Sequence, residues 1–144
     1  MIAVGMTRER LEGYQSCKEE IRELQYKLAH LGEGDSLIGN DVIMDYQTGY
    51  PRPQSVVGYD YDKENRLRNT YETRIRKLED ECAEIEQWVE DIPDSLTRRI
   101  FRMYFLEGRS QKQIGKIVHL DRSRISRKID EYLKNAHKAQ NAHV

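Results

Sequence analysis

The residues with the most chemical capacity crowd into one short basic stretch: Arg122, Ser123, Arg124, Ser126, Arg127 and Lys128. A guanidinium presents a planar fork of N–H donors. That fork fits the O6 and N7 of guanine, or two oxygens of a phosphate. Ser123 and Ser126 add hydroxyls that can bond a base or a phosphate. Lys112 and Lys116 lie upstream, and Arg98 and Arg99 lie further upstream still, as candidates for phosphate contact. No nucleophile with a base in sequence context accompanies this set, and there is no phosphate-binding glycine loop. The chemistry on offer is recognition of a polyanion, not bond breaking.

Such residues need an element to aim them. Ser110 can cap a helix, with Gln113 placed to return the bond as a capping box. Ile114, Ile117 and Val118 follow at helical spacing until the pattern breaks at His119-Leu120. Asp121 offers a second N-cap before Arg122. Ile125, Ile129, Tyr132 and Leu133 then form a new apolar stripe, opposite Arg122, Ser123, Arg124, Arg127 and Lys128. Two short helices, a tight turn and a basic second helix over 122–133 predict a helix-turn-helix that enters the major groove. Two amphipathic helices and a turn also occur in all-α proteins with no DNA partner. The charge of the exposed face favours the DNA reading.

The stretch GRSQKQIGKIVHLDRSRISRKI resembles the helix-turn-helix of region 4 of bacterial sigma factors, and IPDSLTRRIFRMYFLEG is similar to the helix that precedes it there. A coiled N-terminal half, an IPDS junction and a sigma-like C-terminus together resemble phage transcriptional regulators of the RinA/ArpU type. The resemblance covers residues 92–134 well, and the N-terminal half in general arrangement only. His119 departs from the pattern, since glycine often occupies the turn and takes a left-handed conformation easily. Histidine is among the other residues that tolerate it.

The chain has 144 residues, of which 34% are charged and 38% apolar, a composition suited to long exposed helices. The net charge of −1 hides an asymmetry. Residues 95–144 carry twelve Lys/Arg and four Asp/Glu, whereas residues 1–94 carry twelve and twenty-one. A basic half is thus joined to an acidic half with another task. No run of apolar residues is long enough to cross a membrane, and the start lacks a secretory pattern, so a cytoplasmic protein is expected. The separated cysteines Cys17 and Cys82 fit a reducing compartment and form no zinc cluster. Glu79, Asp80, Glu81, Glu84 and Glu86 are read as a solvated helix face, and the scattered His30, His119, His137 and His143 lack metal spacing. Neither a cofactor nor an enzyme is expected.

The predicted fold is all-α. Thr7 caps a first long helix whose seam runs Leu11, Tyr14, Lys18, Ile21, Leu24, Leu28 and Leu31, ending before Gly32. A second begins near Asp62, with the seam Leu67, Tyr71, Ile75, Leu78, Cys82, Ile85, Val89 and Ile92. Pairs such as Glu64/Arg68 and Glu72/Arg76 line its outside. These helices predict an antiparallel hairpin, or coiled coil, with Cys82 near Cys17 or Tyr14. The connector 32–62 is rich in tyrosine and glycine, with turns expected at Asn40-Asp41 or Thr48-Gly49. Its aliphatic content favours packing over an idle linker, and Arg52 is its first residue to test. Pro93 ends the second helix, and Asp94 or Ser95 starts a third. That helix is apolar nearly all round, through Leu96, Ile100, Phe101, Met103, Tyr104 and Phe105, and Gly108 stops it; Arg98, Arg99 and Arg102 sit on its remaining surface. From Asn135 the tail is expected to fray. The expected domains are a hairpin with connector over 1–93 and a three-helix helix-turn-helix domain over 94–144.

These readings converge on a sequence-specific DNA-binding transcriptional regulator, of phage or prophage origin as the resemblance to the RinA/ArpU type implies. Its partner is double-stranded DNA, with RNA polymerase or a second copy engaging the N-terminal half, and no membrane. A phage small terminase subunit shares the combination of helix-turn-helix and helical oligomerisation; a ring of about eight or more copies would separate it from a dimer or monomer. A helical interaction protein that does not bind DNA is the third reading.

Overall fold

The computed structural model describes residues 5–32 and 60–142. Within them every regular element is helical. They are α1 (Arg8–Glu12), α2 (Tyr14–Ala29), α3 (Tyr61–Glu90), α4 (Ser95–Phe101), a π-helical turn (Arg102–Leu106), α5 (Gln111–Val118) and α6 (Arg122–Ala142). The turns expected at Asn40-Asp41 and Thr48-Gly49, together with Arg52 and His143, lie outside the described residues. The chain packs as two compact units, residues 1–19 with 79–144, and residues 20–78.

In the unit of residues 20–78, Asp60 starts α3 by accepting the Lys63 backbone N–H at 2.8 Å. Ile21 and Ile75 are buried, and Glu20 meets Arg74 at 3.9 Å. The other seam residues here, Leu24, Leu28, Leu31, Leu67, Tyr71 and Leu78, are only half-buried. Arg68 reaches Glu64 at 3.4 Å, whereas the expected Glu72/Arg76 pair does not form. Gly32, after α2, takes φ 87°, as a helix stop requires.

In the other unit, Thr7 caps α1 through a 3.1 Å bond from the Arg10 N–H. Gly13 then interrupts the single helix that the spacing predicts, with φ −80° and ψ −6°. Glycine resists helical ordering more than other residues do, which explains the break. Beyond it, Tyr14 and Cys17 are buried against the end of α3. The Tyr14 hydroxyl donates to Glu86, and the Cys17 and Cys82 sulfurs lie 3.0 Å apart. Both cysteines are free. Burial, with the Cys17 contact second, pushes the Cys82 thiol up to about 12. Lys18, the expected seam position, stays half-exposed and reaches Glu86 at 3.8 Å.

The core of this unit runs through Leu11, Ile85, Val89, Ile92, Ile100, Phe101, Ile114, Ile125 and Ile129, each at most 1% exposed. Phe101 is its aromatic centre, with Phe105 and Tyr132 each at 5.3 Å and Trp88 at 5.9 Å between ring centroids. Arg102 forks onto Glu90 at 2.8 and 3.0 Å, and Arg8 meets Asp130 at 2.6 Å. The unit that holds the helix-turn-helix thus takes in the end of α3 and residues up to 19 as well as the segment after Pro93. Proline follows the end of α3, but Val89 and Ile92 are core residues and Trp88 meets Phe101 at a tilt and Tyr132 edge-on, so packing continues where the helix stops.

Asp94 starts α4 as expected, accepting the Thr97 N–H at 2.9 Å and its hydroxyl at 2.7 Å. The helix then widens into the π turn, where the Glu107 N–H returns to the Arg102 carbonyl at 3.0 Å. Gln15 donates to the Leu106 carbonyl. A π turn spaces side chains differently from an α-helix, so Met103 and Phe105 are buried while Tyr104 is left half-exposed. The tail corrects another expectation, because α6 continues to Ala142 and does not fray from Asn135.

Candidate nucleic-acid interface

The helix-turn-helix is built from local bonds. The Ser110 hydroxyl accepts the Gln113 N–H at 3.1 Å, and Gln113 Oε1 accepts the Ser110 N–H at 3.0 Å, which closes a capping box at the start of α5. Ile114 is fully buried, but Ile117, expected in the same stripe, is 41% exposed. His119 ends α5 in the left-handed region, φ 61° and ψ 46°. The Leu120 N–H then donates to the Gly115 carbonyl at 3.0 Å, and the Asp121 carbonyl receives Arg124 and Ile125, both at 3.0 Å, to open α6. Gly115 permits this tight return, because a Cβ there would lie 2.5 Å from the Leu120 carbonyl oxygen.

Helical geometry then sorts the basic residues of α6. Ile125 and Ile129 are fully buried and define its inner face. At about 100° per residue, Arg127 lies about 40° from Ser123 and about 60° from Arg124, so these three share an outward sector. Arg122 lies about 140° from Arg127, toward one edge of the buried stripe, and Lys128 lies toward the other edge. Exposure agrees with this sorting. Arg122, Ser123, Arg124 and Arg127 are exposed, whereas Ser126 and Lys128 are half-buried. The Asp94 carboxyl is held below its usual range chiefly by the Thr97 hydroxyl and N–H, with the charges of Lys128 and Arg98 adding attraction.

On the preceding helices, Arg99, Lys112 and Lys116 are exposed. Arg98 is half-buried and donates to the Ile92 carbonyl at 2.7 Å. That bond braces the junction after α3. Arg102 is likewise held by Glu90. Arg99, Lys112, Lys116, Arg122, Arg124 and Arg127 make no hydrogen bond or ion pair with any described residue. The other arginines of this unit, Arg8, Arg10, Arg98, Arg102 and Arg109, all do. The unpaired arginines of this unit thus all lie within the segment from α4 to α6, and an unpaired cation keeps its full attraction for a polyanion.

Neither charge nor spacing marks Tyr104 and Gln111 as site residues in the sequence. Together with Ser110, Lys112 and Arg122 they line a groove of about 510 Å3 beside the start of α6. Tyr104 reads from its spacing as core, and only the π turn brings it to this wall. No helix among the described residues is long and apolar enough to cross a membrane.

Residues 94–135 match the family model described as Sigma-70, region 4. No curated protein and no solved structure matches the chain. The matched residues begin at the Asp94 cap and run through α4, the π turn and α5 into α6. The C-terminal part of this chain is therefore a sigma-70 region 4-like, DNA-binding helix-turn-helix.

Proposed function

We propose that the chain is a sequence-specific transcriptional regulator of phage or prophage origin, of the RinA/ArpU kind, working in the cytoplasm by binding DNA and not by catalysis. The start of α6 enters the major groove. Arg124 and Arg127 read base edges there, with Ser123 beside them, while Lys112, Lys116 and Arg99 hold phosphate. The N-terminal half engages a second copy or RNA polymerase. The half-buried Leu24, Leu28, Leu67, Tyr71 and Leu78 among the described residues of 20–78 suit that role. The observation that carries the reading is the set of unpaired cations on a sigma-like helix-turn-helix segment, in a unit whose other described arginines are all paired.

The test is a randomised-site selection with the full chain, followed by titration of the winning duplex across salt concentrations. With roughly four to six phosphate contacts, log K should fall against log salt with a slope of about −3.5 to −5.5. Arg124→Ala or Arg127→Ala should relax the selected sequence. A flat salt response would remove DNA from the account, and a selection that returns no preferred site would leave a non-specific binder.

A further inference from the structure

The groove beside the start of α6 is walled by three elements: Tyr104 from the π turn, Ser110, Gln111 and Lys112 from the start of α5, and Arg122, the first residue of α6. Both of its charged residues are cations, and no carboxylate lines it. Neither Lys112 nor Arg122 has a partner among the described residues, and the Tyr104 hydroxyl has none either. The Tyr104 ring lies edge-on against Phe105, with centroids 4.9 Å apart. Ser110 is already occupied by the capping box. The attraction of this groove therefore comes from side chains, two charged and two neutral donors, converging from separate elements.

We propose that this groove seats a phosphodiester of the DNA strand bordering the major groove that α6 enters. Lys112 and Arg122 supply the charge, and Tyr104 and Gln111 supply neutral donors to the same stretch of backbone. The proposal rests on the DNA-binding reading above and divides its arginines. Arg122 stands about 140° or more around the helix from Arg124 and Arg127, so one strand of backbone and one set of base edges are met by different residues. Arg122, Tyr104 and Gln111 are positioning residues that set how far α6 descends into the groove, and sequence is read by the outward sector alone. Backbone contacts carry register but no sequence information, so their loss must be felt equally on all sequences.

The full-length protein is titrated against its selected duplex, an unrelated duplex, and a series in which single phosphates are replaced by neutral methylphosphonate. Lys112→Ala and Arg122→Ala should each weaken binding about tenfold, and Tyr104→Phe about three- to tenfold, by the same factor on both plain duplexes. Tyr104→Phe keeps the ring and hence the fold, which a melting curve checks. One methylphosphonate position should weaken the wild type but have little effect on a Lys112→Ala/Arg122→Ala protein, which has lost both cations of the groove. If Arg122→Ala relaxes sequence preference as Arg124→Ala does, the division of labour is wrong. If no backbone position loses its effect in the double variant, the groove does not hold the strand. Either result leaves wild-type DNA binding standing, whereas a wild type that shows no salt-dependent binding sinks this proposal and the DNA reading together.

Discussion

Gly115 lies in the interior of α5, where alanine is ordinarily the better helix former by about 0.8–1.0 kcal/mol. The geometry opposes that gain. A Cβ at Gly115 would stand 2.5 Å from the Leu120 carbonyl oxygen, and that oxygen belongs to backbone, not to the end of a side chain that can swing aside. The same turn is tied down by the Leu120 N–H on the Gly115 carbonyl at 3.0 Å. Restoring an ordinary contact needs roughly 1 Å of movement of the segment that leads into Arg122. Overpacking of this kind costs about 1–3 kcal/mol, which exceeds the propensity gain, so Gly115→Ala should lose about 1 kcal/mol net. Gly13 supplies the control. A Cβ there meets the Glu9 carbonyl oxygen at 3.4 Å, an ordinary contact, and its φ of −80° suits any residue. Gly13→Ala should therefore gain up to about 1 kcal/mol. Thermal unfolding of the full chain should place the two variants on opposite sides of wild type, each by about 3–5 °C. A Gly115→Ala protein that melts higher than wild type would refute the close approach at this turn.

His119 holds a left-handed conformation without being glycine, so His119→Gly should stabilise the fold by about 0.5–1 kcal/mol and leave DNA preference unchanged, while His119→Val should melt lower. Ile125 is fully buried, and Ile125→Ala should cost about 2–5 kcal/mol in urea unfolding, unlike its exposed neighbour Arg124. The Cys82 thiol is pushed up to about 12 by burial, so the stability it contributes is fully present below the ordinary thiol pKa and is lost as pH rises from there toward the raised value. Thiol labelling at pH 8 should accordingly be slow in the native protein and fast in urea. The Asp94 carboxyl is held low by Thr97, so its cap is present above the ordinary carboxylate pKa and fails as pH falls through the lowered value. Asp94→Ala should lower Tm at pH 7 and make little difference in strong acid.

What was legible in the sequence is what depends on neighbours along the chain. The Ser110–Gln113 capping box, the Asp94 and Thr7 caps and the strained turn at His119 all follow from residues within one helical turn of each other. The meeting of Cys17 with Cys82 was legible because a long apolar spacing fixes which residues two paired helices share. Hidden were features set by packing at a distance. The π turn takes its place where Gln15 meets the Leu106 carbonyl, and no local signal marks it. Arg98 and Lys128 were expected at DNA because their charge is visible in the sequence. The bond from Arg98 to the Ile92 carbonyl and the half-burial of Lys128 are not.

The same distinction explains why an acidic half does not cancel the attraction of a basic one. In the unit that contains the helix-turn-helix, Glu81 and Glu84 are taken by Arg10, Glu90 by Arg102 and Asp130 by Arg8. The Arg10 guanidinium holds the Glu81 carboxyl below its usual range, as a close pair should. These partly exposed pairs add little stability, about 0–1 kcal/mol each, but they neutralise charge over distances shorter than the Debye length of about 8–10 Å. Beyond that length a strand of DNA meets mainly cations without partners, and among the described arginines of this unit those are Arg99, Arg122, Arg124 and Arg127. Net charge by segment points to the right end of the chain. The choice of residues within it is made by which cations the fold has left unpaired. The salt slope of DNA binding should therefore respond to Arg99, Lys112, Lys116 and Arg122, and not to Arg102, although Arg102 lies on the surface that the sequence alone would have assigned to phosphate.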